Sequence, residues 1–261
     1  MMVLQTRADA RMARLVCSEA LLVILALALA AHACASQDAG GQGQGGDLGI
    51  RWIEVEGGTF TMGTGSSARQ VTVERFMMSA TEITFEQYDA FCDATGKERP
   101  DDKGWGRGTR PVMRVSYDDA VEFTEWLSNE TGSVVRLPNE AEWEFAAQGG
   151  RHSRGYVHSG GNEKDDVSWN EDNSDGQTHP VATRQPNELG LFDMSGNLWE
   201  WCADWAGTDL SGAQDAGNDV TRAVRGDSFD NPGGRMGFRP SVRVERDSRH
   251  YNIGFRVVKS E

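Results

Sequence analysis

The stretch Pro186-Asn-Glu-Leu-Gly-Leu-Phe-Asp-Met-Ser-Gly-Asn-Leu-Trp-Glu-Trp201 decides the reading of this chain. It holds a turn, two spaced carboxylates and two tryptophans, and no helical or strand period orders them. In its second half, Asp193 and Glu200 bracket Gly196. Calcium takes several hard oxygens, from side chains and carbonyls, on a backbone that can bend around it. On spacing alone the two carboxylates have a simpler reading: Asp193 caps the turn and Glu200 pairs with an arginine. Trp199 and Trp201 read as packing residues rather than as a sugar platform.

Upstream of this stretch, three helices are expected. Thr84 and Gln87 make a capping box for a helix from about Phe85 to Ala94, stopped by Gly96. Ser116 caps a second helix from about Tyr117 to Asn129, with Ala120, Phe123 and Leu127 on one stripe and Gly132 closing it. Asn139 and Glu142 box the start of a third, whose Trp143 and Ala146 face inward. Trp52-Ile-Glu-Val-Glu alternates into Gly57-Gly58, as a strand meets a turn. Beyond Gly149 the chain is polar and glycine-rich. Short strands are expected there at most, until Arg222-Ala-Val-Arg and Gly254-Phe-Arg-Val-Val. Ordered loops of that length are usually functional or metal-held.

The N-terminus reads as an export signal. Arg7, Arg11 and Arg14 precede an apolar run from Ala20 to Ala31, which is short of the roughly 20 residues of a membrane span. Glu19 sits awkwardly just before the run. Residues 1–33 are expected to be a signal peptide ending at Ala31-His32-Ala33. Cys34 then stands at the first mature position, where a lipoprotein carries its lipid. Plain cleavage after Ala33, or retention as an N-terminal anchor, are the alternatives. Residues 34–47 are rich in glycine and glutamine and form an expected flexible tether. Residues 48–261 are long enough for one domain with its own core.

The chain of 261 residues has a formal charge of −14. Removal of the leader takes away three arginines against Asp9 and Glu19 and leaves the remainder more acidic still. Such a surface repels phosphate backbones and excludes nucleic acid as a natural partner. It is compatible with calcium and with cationic or neutral ligands. Beyond Cys34 the mature chain has Cys92 and Cys202. They could pair in an oxidising compartment or stand as two separate buried thiols.

Seven blocks occur in order: Ile53–Gly63, Thr81–Tyr88, Arg110–Ala120, Arg136–Ala147, the tryptophan stretch, Arg225-Gly-Asp-Ser-Phe229 and Asn252-Ile-Gly-Phe-Arg256. Together they resemble the formylglycine-generating enzyme family, also called the sulfatase-modifying factor family. The tryptophan stretch is similar to its GLYDMxGNVWEW motif. The resemblance implies one α+β fold related to C-type lectins, with few regular elements and long loops. It implies a structural calcium held by the side chains of Asp193 and Glu200 and the carbonyls of Gly196 and Leu198. Some relatives hold a second calcium upstream. Here that segment, Trp169–His179, offers Asn170, Asp172, Asn173 and Asp175 but reads as a solvated acidic loop.

The resemblance also argues against the family's named reaction. The enzymatic members oxidise a sulfatase cysteine with two active-site cysteines that bind Cu(I), a soft metal suited to thiolates. The corresponding block, Arg225–Arg239, has no cysteine, and Asn231 and Arg235 stand at the aligned positions. Copper is therefore not expected as a cofactor, and no catalytic residue is assigned. His152, His158, His179 and His250 show no ligand spacing. In lectin-like folds this C-terminal stretch forms the binding face. Phe229, Asp230, Asn231, Arg235, Met236, Phe238 and Arg239 are the expected lining for an unknown protein, peptide or small-molecule ligand. The expectation is an exported accessory or ligand-binding module at the cell envelope, touching membrane only through Cys34. The alternative is a divergent enzyme acting on an exported protein or small molecule.

Overall fold

In a computed structural model of the protein, residues 46–205, 220–231 and 241–260 are described. Cys34, Arg235, Met236, Phe238 and Arg239 lie outside them, as do the leader and nearly all of the tether.

The chain opens with β1 (Trp52–Val55), β2 (Gly58–Met62), β3 (Arg69–Val73) and β4 (Phe76–Ser79). Helices α1 (Phe85–Thr95) and α2 (Tyr117–Thr131) follow, then β5 (Val135–Arg136), α3 (Glu140–Ala147) and the short α4 (Lys164–Val167). The second half carries β6 (Trp199–Trp205), β7 (Thr221–Arg225), β8 (Ser241–Glu245), β9 (Ile253–Gly254) and β10 (Val258–Lys259).

The three helices begin where their caps place them. Thr84 accepts from the Gln87 N–H while the Gln87 side chain accepts from the Thr84 N–H. Asn139 and Glu142 do the same for α3. Ser116 also heads a full box, closed by Asp119. Each box satisfies two of the four N–H groups that a helix start leaves free. Helices α1 and α2 stop on Gly96 (φ 73°) and Gly132 (φ 69°), the left-handed position that glycine adopts without a Cβ clash. Both helices run slightly past their expected ends.

One sheet has the order β1-β4-β10-β5 and another β8-β7-β6-β9, while β2 and β3 form a separate hairpin. Pairing is antiparallel except between β6 and β9, where Trp199 lies beside Ile253 and Glu200 beside Gly254. A Cβ on Gly254 would run into the Val112 carbonyl, so only glycine admits that approach.

Two buried clusters fill the interior. The first joins α1 and α2 through Tyr88, Phe91, Phe123 and Phe255. Tyr88 and Phe123 stack at 5.6 Å, and Phe123 meets Phe255 edge-on at 5.4 Å. Such pairs add about 0.5–1.5 kcal/mol each beyond the burial of their area. The second places the β2–β3 hairpin against α3 through Phe60, Phe145, Trp143 and Met194. Strand β6 runs between the two, with Trp201 in the first cluster and Cys202 in the second.

Candidate functional site

The tryptophan stretch folds as two turns that deliver β6 into the core. The Asn187 side chain closes the first turn: its oxygen accepts from the N–H groups of Leu189 and Leu191. Its amide donates to the Ala146 carbonyl at 2.8 Å and ties the turn to α3. In the second turn Gly196 takes φ 88°, and a Cβ there would collide with the Trp169 carbonyl. The Gly196 N–H donates to the Gly226 carbonyl at 2.7 Å, and the Asn197 N–H to the Trp169 carbonyl at 2.9 Å.

This path buries both carboxylates of the motif. Glu200 is fully buried against Arg256, with Nε–Oε2 at 2.6 Å and Nη2–Oε1 at 2.7 Å. The indole N–H of Trp143 donates to the same Oε2 at 2.6 Å. Asp193 accepts from the Ala182 N–H through Oδ2 at 2.8 Å, while its buried Oδ1 has no hydrogen-bond partner. A third carboxylate, Glu82, completes the centre. It accepts from the Asn197 amide at 2.8 Å and from the Leu198 N–H at 3.0 Å.

Burial pushes the Glu82 carboxyl well above its ordinary range. The negative charges of Asp193 and Glu200 add to that rise, while Arg256 and Asn197 oppose it. Burial likewise lifts Asp193 from 3.8 to about 6, against the Ala182 N–H and Arg256. For Arg256, burial disfavours the charge, but Glu200, Glu82 and Asp193 more than offset it. Three carboxylates thus face one guanidinium.

Two observations fit a hard divalent cation here. With all three acids ionised the centre has an excess of negative charge, and Asp193 Oδ1 is an oxygen without a partner. Asp193 and Glu200 would hold the ion with the Gly196 and Leu198 carbonyls, supplying charge balance and a fixed loop rather than chemistry. Glu200 would share its oxygens with Arg256, the arginine pairing that its spacing alone suggested. Among the described residues no three His, Cys, Asp or Glu side chains converge as a metal cluster, so the carbonyls are needed.

The upstream segment Trp169–His179 is more built than a solvated loop. Glu171, Asp172 and Asp175 are exposed, but Asn170, Ser174 and Thr178 are buried. Asn170 and Asn173 both donate to Asp165 Oδ1, and Asp172 pairs with Lys164. The Trp169 ring stacks on His179 at 3.6 Å with Arg184 also 3.7 Å from its centre. Asn170, Asn173, Asp172 and Ser174 are thus bonded to Asp165, Lys164 and the Phe229 carbonyl, while the buried Thr178 hydroxyl has no hydrogen-bond partner.

Cys92 and Cys202 are both free and buried, and they sit in different clusters of the core. Burial raises both thiols above their ordinary range. A buried, protonated thiol is neither a nucleophile nor a good copper ligand.

Of the expected binding face, Phe229, Asp230 and Asn231 are described. Phe229 is 1% exposed and packs edge-on beneath Trp105 at 5.3 Å. It supports the face rather than lining it, because its N–H and carbonyl are tied to Asn197 and Ser174. Asp230 and Asn231 reach the surface. The single Ser228 hydroxyl proton is shared between Asp230 Oδ1 at 2.7 Å and Asn231 Oδ1 at 2.9 Å, and the Asn231 amide donates to Asp227 at 2.9 Å. Tyr251, Asn252 and Trp105 join them at this face, and none of the three is marked by spacing in the sequence. Asn252 donates to Asp230 at 3.2 Å, and the nearby Asp230 charge raises the Tyr251 hydroxyl above its ordinary range.

Comparisons with known proteins agree with this architecture. A protein of Paenibacillus barcinonensis named chaperone protein LppX is 31% identical, over 70% of this chain and 80% of its own length. The formylglycine-generating enzyme of Streptomyces coelicolor is 34% identical over 59% of this chain, and the match spans only 54% of that enzyme. Among solved structures, PvdO from Pseudomonas aeruginosa superposes with a TM-score of 0.68 at 26% identity, covering 80% of this chain and 94% of that one. Treponema denticola variable protein 1 superposes with a TM-score of 0.69 at 22% identity, covering 81% and 95%. These neighbours bear out the expected C-type-lectin-like α+β fold. Residues 48–261 match the sulfatase-modifying factor enzyme 1-like domain, and the chain belongs to that family.

Proposed function

We propose that this protein is an exported accessory or ligand-binding module of the sulfatase-modifying factor family that does not carry out the copper–thiolate oxidation. One observation carries the reading: the Arg225–Arg239 block contains no cysteine. Its described part is committed to internal bonding. Arg225 is buried against Glu144 and Glu140, and Asp227, Ser228 and Asn231 hydrogen-bond one another. Neither an amide nor a guanidinium binds Cu(I) as a thiolate does. Cys92 and Cys202, buried in separate clusters, supply no replacement pair. The name of the Paenibacillus relative, a chaperone, suits an accessory role.

In this reading calcium at Asp193, Gly196, Leu198 and Glu200 is structural. The leader directs export, and Cys34 carries a lipid that ties the domain to the envelope through the glycine-rich tether. Mass spectrometry of the membrane fraction tests that part. A mature chain starting at an acylated Cys34 is expected, and an intact Met1 would refute both export and anchoring.

The chemistry is tested with a sulfatase-type cysteine peptide, oxygen, Cu(I) and reductant. No formylglycine product should form. Turnover that survives Cys92→Ser and Cys202→Ser would reveal a cysteine-free route in this fold and overturn the reading. Turnover lost in either variant would show that the pocket lies elsewhere.

A further inference from the structure

At the face formed by Asp230 and Asn231, a lysine of the chain itself sits among aromatic rings. The turn Asp101–Gly104 places it there. The Lys103 N–H donates to Asp101 Oδ1 at 2.7 Å, and the Gly104 N–H to Asp102 Oδ1 at 2.9 Å. Lys103 takes φ 55°, which reverses the chain, and the Trp105 N–H closes the turn on the Asp102 carbonyl. The Lys103 ammonium lies 4.7 Å from the centre of the Trp105 ring and 4.1 Å from that of Tyr251. The two rings are 6.4 Å apart and nearly perpendicular, at 85°. Phe229 backs both, at 5.3 and 6.1 Å. Asp230 follows Phe229 in the chain, accepts from the Asn252 amide at 3.2 Å next to Tyr251, and its charge raises the Tyr251 hydroxyl above its ordinary range.

We infer that Trp105, Tyr251 and Asp230 form an aromatic cage for an alkylammonium group, such as a lysine side chain on a partner peptide, which Lys103 occupies until the ligand displaces it. This deepens the ligand-binding reading above by naming the ligand's chemistry. Perpendicular rings around one cation present their negative faces to it from two sides. The carboxylate beside them adds a fixed opposite charge. Lys103 is exposed and rides on a four-residue surface turn, so little structure is lost when it swings out. Among the described residues no carboxylate forms an ion pair with it, and the rings are what hold its ammonium. The strong negative charge of the chain raises the local concentration of cationic ligands.

A lysine that merely shields ring surface from water would look similar, and titration calorimetry on the mature protein separates the two. The probes are Nα-acetyl-lysine methylamide, its ε-trimethylated form and the uncharged norleucine counterpart. Lys103→Ala vacates the cage and should bind both cationic probes roughly tenfold more tightly than the unaltered protein, the worth of two modest cation–π contacts. Norleucine should not bind. Tyr251→Leu, at a position 38% exposed, should remove binding in the Lys103→Ala background with the melting temperature unchanged. Equal affinities with and without Lys103, or norleucine binding as well as lysine, would overturn the cage. Turnover of the cysteine peptide would remove the accessory reading and leave the cage standing. Cationic probes that fail to bind Lys103→Ala overturn the cage whatever the turnover assay gives.

Discussion

Replacing Arg256 with methionine tests the buried centre most directly. The guanidinium is fully buried and makes two short bonds to Glu200, at 2.6 and 2.7 Å. It also donates to the Phe192 carbonyl at 2.8 Å and the Ser79 carbonyl at 3.3 Å. Methionine fills much of the volume, so the cavity contribution is small. Removing one partner of a buried pair costs about 3–5 kcal/mol, because the other charge is left without compensation. Here Glu200 loses the guanidinium that holds both its oxygens and Asp193 loses a neighbouring cation as well, which places the loss toward the upper end of that range. Native domains have only about 5–15 kcal/mol to lose. At about 2–4 °C per kcal/mol for a domain of this size, melting should fall by about 8–20 °C. Glu200→Gln should be milder, since Arg256 keeps Glu82 and Asp193 as partners and the amide oxygen still accepts a bond. The assay is urea unfolding at pH 7 in chelator, with thermal melts alongside. A loss below about 1 kcal/mol for Arg256→Met would refute the reasoning. The acids would then be taking up protons at little cost, and Arg256 would not be the ion that holds the centre together.

Chelation of calcium should lower the melting temperature, because an ion bound only by the native state stabilises it. Asp193→Ala should melt like the chelated protein; equal melting with calcium and with chelator, and no calcium by elemental analysis, would remove the metal from the centre. In chelator, pH should matter in a defined direction. The folded state holds protons on Glu82 and Asp193 more tightly than the unfolded chain does, so stability should fall as pH rises from about 4 through 6. The rise of Asp193 to about 6 alone corresponds to about 3 kcal/mol, and a denaturation series that stays flat across that window would contradict the buried geometry.

The helices were the most legible part of this sequence because their signals are local. A capping box spans four residues, and the boxes at Thr84 and Asn139 fixed two helix starts. The Ser116 box was read by half, since Asp119 closes it from a position that usually takes Glu or Gln. Strand β6 was the main omission. Trp199-Glu-Trp-Cys-Ala-Asp-Trp205 has no polar alternation, because Glu200 and its neighbours through Cys202 are all buried. Period-two reasoning needs one wet face, and Trp199 through Cys202 offer none. The centre was legible only in part for a related reason. Asp193 and Glu200 stand out by spacing, but Glu82 reaches Leu198 across 116 positions and Arg256 reaches Glu200 across 56. Nothing in either local sequence marks those partners. The Lys103 turn is short and polar, and its aromatic neighbours come from separate loops.

The place of β10 has a consequence for how the chain must acquire its structure. Val258–Lys259 lies between β4 and β5, so the first sheet is missing an interior member until this segment arrives. Met78 waits 180 positions for its neighbour Val258. During synthesis from the N-terminus, β1 and β4 can pair early, but β5 has nothing to join. Sheets closed by such distant segments form slowly and leave bare edges open to other chains meanwhile. A chain of this topology cannot complete its first sheet until β10 has been made.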